Sequence, residues 1–181
     1  EKPKGAKRLV VFGDTNGAYG TEGQKYLAQL QERLPEWDAD FVIGVGDYIA
    51  AGGGGVSDER YKELNAKVKE EFQRFKTPFA LALGNHDINL DGKTDDLKAV
   101  FEATLKKEFE YEESDGAYSY KLGNATFVVF NEGNGVITDA HIAFFSKKST
   151  ESKGAVYLIN HVPPFQHAHG PGLPKDGSET V

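Results

Sequence analysis

Residues 84–87 read Gly-Asn-His-Asp and directly follow an apolar run at residues 78–83. An amide, an imidazole and a carboxylate at the end of a buried strand need polar or ionic partners, because burial without partners costs free energy. Similar groups follow three other apolar runs, at Asp14-Thr15-Asn16, Gly46-Asp47 and Asn160-His161. One Asp after a strand more often forms a cap or a turn, but the repetition favours a dinuclear site for zinc, iron or manganese.

Strands that alternate with helices must position these groups. Apolar runs at residues 8–13, 40–46 and 79–83 indicate buried strands. Apolar residues at helical spacing predict helices at about 21–34, from Ser57 onwards, and at about 95–109. This alternation predicts a mainly parallel sheet with helices outside. Ligands of such sheets bind at the carboxyl ends of the strands, so we expect the polar groups to meet at one rim.

In the second half of the chain, predicted strands and helices no longer alternate. Two strand-like runs, 118–122 and 125–130, flank Gly123-Asn124, which is typical of a hairpin. A short helix is predicted at 138–149 and a strand at 155–160, while the acidic segment 108–115 is interpreted as a solvated charge run. Residues 162–181 are rich in Pro and Gly and are predicted to be a loop or tail of a single domain spanning 1–181.

Composition excludes several classes of protein. Apolar residues make up 39% and charged residues 27% of the 181 residues, as in soluble globular domains. A net charge of −7 disfavours nucleic-acid binding, and the absence of cysteine excludes disulfides and thiolate metal sites. No apolar run has the length of a membrane span, so no membrane partner is expected. The start at Glu1 and the lack of methionine are consistent with a removed signal peptide and favour a secreted or periplasmic location.

The chain resembles a known family at four motifs. These are Phe12-Gly-Asp-Thr-Asn-Gly17, Val45-Gly-Asp47, Gly84-Asn-His-Asp87 and Asn160-His-Val-Pro-Pro164. They look like the first four of the five motifs of the calcineurin-like metallophosphoesterases. The resemblance implies an α/β fold, the αββα sandwich with a central mixed β-sheet arrangement, C-terminally incomplete here. It also implies hydrolysis of a phosphomonoester or phosphodiester by metal-bound hydroxide, with a small phosphate ester or a phosphoprotein as substrate.

The resemblance also implies roles for individual residues. The metal ligands would be Asp14 for the first metal, Asp47 between both metals, and Asn85 and His161 for the second metal. His86 would contact the phosphoryl oxygen or leaving group, and Asp87 would orient the His86 ring. Two divalent cations about 3.5–4 Å apart would clamp the phosphate and lower the pKa of a bridging water.

Two departures from the family pattern leave alternatives open. Asn16 stands where the family usually has His, and its amide oxygen is expected to bind the first metal. Because an amide is a weaker ligand than imidazole for zinc or iron, the first site is expected to favour manganese, magnesium or calcium, or to be partly empty. The alternative is that Asn16 only forms a turn. The fifth motif, Gly-His-x-His on a later strand, is absent. His167 and His169 have its spacing but follow no strand, so they are either additional ligands or exposed loop residues.

These departures suggest two further hypotheses. Without the strand of the fifth motif, strand 155–160 would expose an apolar edge, which suggests that the chain is a fragment or that a second polypeptide supplies the missing C-terminal motif. A weak or inactive metal- or phosphate-binding domain, with a regulatory or structural role, is the alternative to an enzyme. His141 is expected to cap the short helix or to face solvent, and to bind no metal.

Overall fold

The computed structural model describes residues 6–15, 22–49, 57–87, 95–131, 136–162, 174–175 and 179–180. Nine strands and four helices lie within these residues. In chain order they are β1 (Leu9–Phe12), α1 (Glu22–Arg33), β2 (Phe41–Gly44), α2 (Asp58–Gln73), β3 (Phe79–Leu81), α3 (Asp95–Glu108), β4 (Tyr111–Ser114), β5 (Ala117–Leu122), β6 (Ala125–Phe130), α4 (Asp139–Glu151), β7 (Val156–Ile159), β8 (Pro174–Lys175) and β9 (Glu179–Thr180). The predicted strands, helices and hairpin of residues 8–160 are confirmed.

The first sheet is parallel and has the order β1-β2-β3. Strands β2 and β3 are buried along their whole length, as expected of a parallel sheet covered on both faces. One face packs against the helices, where the Phe12 ring lies 6.3 Å from that of Phe72 in α2. The Ser57 side chain caps α2 by accepting from the Arg60 N–H. The first half of the chain therefore forms the predicted strand-helix repeat.

The second sheet is mixed and has the order β4-β5-β6-β7. Strands β4, β5 and β6 are antiparallel, and β7 joins β6 in parallel. The hairpin between β5 and β6 turns at Gly123, whose φ of 61° is favourable for glycine. The outer face packs against α4 through Val128, Phe130 and Phe144. Two stacked sheets with helices outside form the predicted αββα sandwich.

Aromatic rings fill the space between the two sheets. Phe41 of the first sheet stacks on Tyr120 of the second at 5.1 Å, and Tyr120 stacks on Phe127 at 5.1 Å. Burial of each of the two phenylalanine rings contributes roughly 1.5–3 kcal/mol. Two hydrogen bonds also join the sheets, from Tyr118 Oη to the Leu81 carbonyl at 2.7 Å and from the Leu83 N–H to Asn131 Oδ1 at 2.9 Å. The second bond fixes the chain directly before residues 84–87.

Strand β4 corrects the interpretation of residues 108–115 as a solvated charge run. The Tyr111 ring stacks on Tyr118 at 5.7 Å, which holds the segment against the sheet. Its carboxylates are paired with lysines of two helices: Glu112 lies 2.6 Å from Lys147 Nζ, and Glu113 pairs with Lys98. Glu112 and Glu113 therefore belong to an edge strand that pairs with β5, and lysine partners accompany their charges.

The β7 side of the second sheet is more apolar at its surface. Among the described residues, β6 is the neighbour of β7 on one side and no strand pairs on the other. Tyr157 is 49% exposed and Leu158 37%, so the prediction of an exposed apolar edge is confirmed. Strands β8 and β9 pair with each other inside the segment predicted to be irregular, where residues 176–178 have turn-forming types. No helix in the described part of the chain is long and apolar enough to cross a bilayer.

Candidate metal centre

The loops after β1 and β2 present two aspartates in an uncommon backbone conformation. Asp14 has φ of 52° and Asp47 φ of 60°, both in the left-handed region that non-glycine residues rarely adopt. Gly46, which precedes Asp47, has φ of 105°. A hydrogen bond of 2.9 Å from the Asp14 N–H to the Gly46 carbonyl joins the two loops. Such strained residues concentrate at functional sites, where the surrounding structure holds them in place.

The turn after β3 lies directly against the Asp47 carboxylate. Asp47 is 6% exposed, and its Oδ1 accepts a hydrogen bond of 3.0 Å from the His86 N–H. Gly84 permits this approach, because a Cβ at that position would overlap Asp47 Oδ1. Asp47 is therefore held between the ends of the second and third strands.

The hydrogen bonds of His161 fix its tautomer. Its Nδ1 lies 2.8 Å from the Val45 carbonyl oxygen, which can only accept, so Nδ1 carries the proton and Nε2 of the neutral ring has a lone pair. This Nε2 lies 3.2 Å from Asn85 Oδ1 and 3.4 Å from Asp47 Oδ1. Two oxygen atoms thus converge on the outer imidazole nitrogen, an arrangement that a bound cation would stabilise.

Asp14 completes a cluster with Asp47 and His161. One ligand atom from each residue lies within 4.8 Å of the others. Asp14 is exposed, Asp47 buried and His161 intermediate, so the cluster opens to solvent on the Asp14 side. The structure thus brings together Asp14, Asp47, Asn85 and His161 from the ends of four strands, as the strand pattern predicts. Oxygen and imidazole ligands of this kind fit zinc, iron or manganese.

His86 lies at the edge of this cluster. Its Nε2 is 4.0 Å from Asp47 Oδ2, and its side chain is 38% exposed. Its Nδ1 is buried without a hydrogen-bond partner, which favours the tautomer that carries the proton on Nε2, because an unpaired buried N–H is costly. In that tautomer the exposed side of the ring can donate to a bound group.

Asp87 corrects the prediction that it orients the His86 ring. Its fully buried carboxylate accepts four backbone N–H groups, at distances of 2.7 to 3.1 Å, from residues 47, 48, 49 and 84. Burial, together with the nearby charge of Asp47, raises the pKa of Asp87 to about 7 even though the N–H donors act in the opposite direction. The carboxylate thus binds the backbone of the loop after β2, while His86 Nδ1 has no hydrogen-bond partner among the described residues.

Tyr48 is a residue of the site that the sequence reasoning missed. Its hydroxyl accepts from the Gly46 N–H at 3.0 Å and donates to the Ala82 carbonyl at 2.8 Å. Burial raises the Tyr48 pKa well above its ordinary value, so the hydroxyl keeps its proton. The position of Tyr48 directly after Gly46-Asp47 could have indicated this role, because the hydroxyl of a tyrosine buried there needs a hydrogen-bond partner.

Three predicted ligands lie outside the described residues, namely Asn16, His167 and His169, and their roles stay predictions. His141 lies on α4, where the Thr138 N–H donates to its Nδ1 at 3.2 Å and its own N–H donates to Thr138 Oγ1 at 3.3 Å. Of the two predicted alternatives, capping or exposure to solvent, the structure shows the cap, and the ring is 1% exposed and stacks on Phe130 at 5.0 Å.

The protein is an α/β sandwich with a candidate metal centre, formed by Asp14, Asp47 and His161, at the ends of its strands. The sequence profile described as calcineurin-like phosphoesterase matches residues 7–177, and the chain belongs to this family. No curated protein sequence matches the chain.

Two solved structures are similar to the chain. A dimetal phosphatase from Danio rerio is 12% identical with a TM-score of 0.43, over 68% of this chain and 43% of that one. GAP50, the anchor in the inner membrane complex of Plasmodium, is 15% identical with a TM-score of 0.48, over 91% of this chain and 58% of that one. The chain thus spans about half the length of these two structures.

Proposed function

We propose that this protein hydrolyses a phosphomonoester or phosphodiester at a site that holds two divalent metal ions. The observation that carries the proposal is the convergence of Asp47 Oδ1 and Asn85 Oδ1 on His161 Nε2, at 3.4 and 3.2 Å. Membership of the calcineurin-like phosphoesterase family supports metal-dependent phosphoester hydrolysis in general. The acidic cluster by itself would repel a phosphate, so bound cations are needed to attract one.

The proposed ligands divide between two ions. Asp14 and Asn16 would hold the first, Asn85 and His161 the second, and Asp47 would bridge both because a carboxylate offers two oxygens. When bound, two divalent cations would polarise the phosphoryl group and activate water. The Val45 carbonyl keeps the His161 lone pair directed at the site, and His86 Nε2 would donate a hydrogen bond to a phosphoryl or leaving-group oxygen. Manganese is the test ion, because it accepts both oxygen and imidazole ligands.

The test is release of p-nitrophenol from p-nitrophenyl phosphate and from its bis ester with added manganese. Asp47→Asn is expected to abolish turnover, because it removes one charge and one oxygen ligand between the two ions. Asp115→Asn makes the same chemical change in an exposed turn of the second sheet and should leave the rate unchanged. An undiminished rate in Asp47→Asn would refute the proposal.

A second function is favoured by Asn16 in place of an expected histidine. An amide oxygen is a weaker ligand than imidazole for zinc or iron, so the first ion could be held too loosely for turnover. The protein would then be a metal- or phosphate-binding domain with a regulatory or structural role. Fewer than two manganese ions per chain, together with no turnover of either ester, would favour this function.

We also propose that further imidazole ligands come from outside the described residues. They would be supplied by His167 and His169 or by a second polypeptide that pairs with the exposed edge of β7, whose end leads directly to His161. The double variant His167→Ala/His169→Ala separates the two sources. Loss of a manganese ion in this variant assigns the ligands to this chain, and unchanged binding with a companion chain in native mass spectrometry assigns them to a partner. Unchanged binding without a companion refutes both.

A further inference from the structure

We propose that Asp87 and Tyr48 form a buried clamp that holds Asp47 in place for metal binding, which makes Asp87 a positioning residue for Asp47 and not for His86. The inference rests on the proposed function only in that it concerns the same metal centre. The clamp consists of these two side chains and the backbone groups that they bind.

The Asp87 carboxylate collects the backbone N–H groups of two loops. Its Oδ2 accepts from Asp47 at 2.7 Å and from Gly84 at 2.8 Å. Its Oδ1 accepts from Tyr48 at 2.7 Å and from Ile49 at 3.1 Å. Three consecutive N–H groups point at one side chain, an arrangement that the left-handed conformation of Asp47 makes feasible. The carboxylate is therefore the element that stabilises this backbone conformation.

The Asp47 side chain binds back to the turn that contains Asp87. Its Oδ1 accepts the His86 N–H, so the loops after β2 and β3 are joined by hydrogen bonds in both directions. The Tyr48 hydroxyl adds a third connection between the Gly46 N–H and the Ala82 carbonyl. The position of the Asp47 carboxylate relative to Asn85 is thus determined by these bonds.

The chemistry of position 87 requires a carboxylate. An ionised carboxylate only accepts and has about four lone pairs, which match the four N–H groups that it meets. The amide of Asn accepts at one oxygen only, and its NH₂ would face two N–H donors whichever way it turns. Asp87→Asn therefore leaves two buried N–H groups unpaired and releases the loop that carries Asp47.

The experiment compares the manganese affinity of four folded proteins by titration calorimetry. Asp87→Asn is expected to weaken binding about 10- to 100-fold, as loss of groups that orient metal ligands does. Tyr48→Phe removes only the hydroxyl and should weaken binding in the same direction, and it decides the matter if Asp87→Asn does not fold. Val128→Ala lies in the separate cluster under α4, and although it lowers stability it should bind within about 2-fold of wild type.

The outcomes separate the clamp from the proposed function because the measurement is of binding and not of turnover. Wild-type affinity in both clamp variants, or an equal loss in Val128→Ala, overturns the clamp and leaves the proposed function standing. Manganese binding that depends on the clamp without ester hydrolysis supports the clamp and overturns the proposed function. A wild-type chain that binds no manganese overturns both.

Discussion

Gly84→Ala tests whether the close approach of the turn after β3 to Asp47 is needed for stability and for manganese binding. The added Cβ would overlap Asp47 Oδ1 and lie 2.5 Å from the Asp47 nitrogen and 2.9 Å from its Cγ. These atoms belong to a clamped backbone and a buried carboxylate, so they cannot move aside as the tip of a flexible side chain would. The φ of Gly84 is not in the left-handed region, so the methyl group acts through overlap alone.

The expected loss follows from two contributions. Inserting a methyl group into a closely packed site costs about 1–3 kcal/mol. Displacement of the Asp47 carboxylate also breaks its bond from the His86 N–H, and a hydrogen bond to a charged group is worth about 1.5–3 kcal/mol. We therefore expect a loss of about 3–5 kcal/mol in the free energy of unfolding, together with weakened manganese binding.

Gly123→Ala is the matched control. Gly123 has φ of 61° and no heavy atom within 4 Å of an added Cβ, so alanine there costs about 1–2 kcal/mol through backbone strain alone. Urea unfolding and manganese titration of both variants give the comparison. The reasoning is refuted if Gly84→Ala binds manganese as wild type does, or if Gly123→Ala weakens binding as much as Gly84→Ala.

Two further predictions concern the α4 side of the second sheet. His141→Ala should cost about 2 kcal/mol in urea unfolding because it removes the bond from Thr138 and a buried ring, whereas His141→Gln should recover part of this as a capping-box residue. The Lys147 and Lys148 ammonium groups hold the pKa of Glu112 below its usual range. The contribution of Glu112 to the free energy of unfolding is therefore fully present above its unfolded pKa near 4.5, and it is lost as the pH falls through the lower pKa of the folded protein. Glu112→Gln should therefore destabilise the protein by about 1 kcal/mol at pH 7 and by less in acid, when both proteins are unfolded by urea across that range.

The sequence predicts the rim of polar groups because its signals are local. Each apolar run ends at a residue that can bind metal, and parallel strands bring their carboxyl ends to one edge of a sheet. Asp14, Asp47 and His161 therefore meet although the last two are more than 100 positions apart. The hairpin at Gly123-Asn124 is equally local, since two residues specify its turn.

The remaining features depend on partners that are distant in sequence. Strand β4 looks like a charge run because the lysines that pair with Glu112 and Glu113 lie on α3 and α4. Asp87 is adjacent to His86 in sequence, but three of its four hydrogen-bond donors lie about 40 positions earlier, in the loop after β2. Neither partnership is visible in the spacing of residues around these positions.

The most direct test of the central claim is the number of manganese ions bound per chain at saturation, counted by elemental analysis of wild type and Asp47→Asn. A two-ion site predicts two manganese ions in the wild type and fewer in Asp47→Asn, because the bridging carboxylate would bind both ions. One ion or none in the wild type, or an unchanged count in Asp47→Asn, would contradict it.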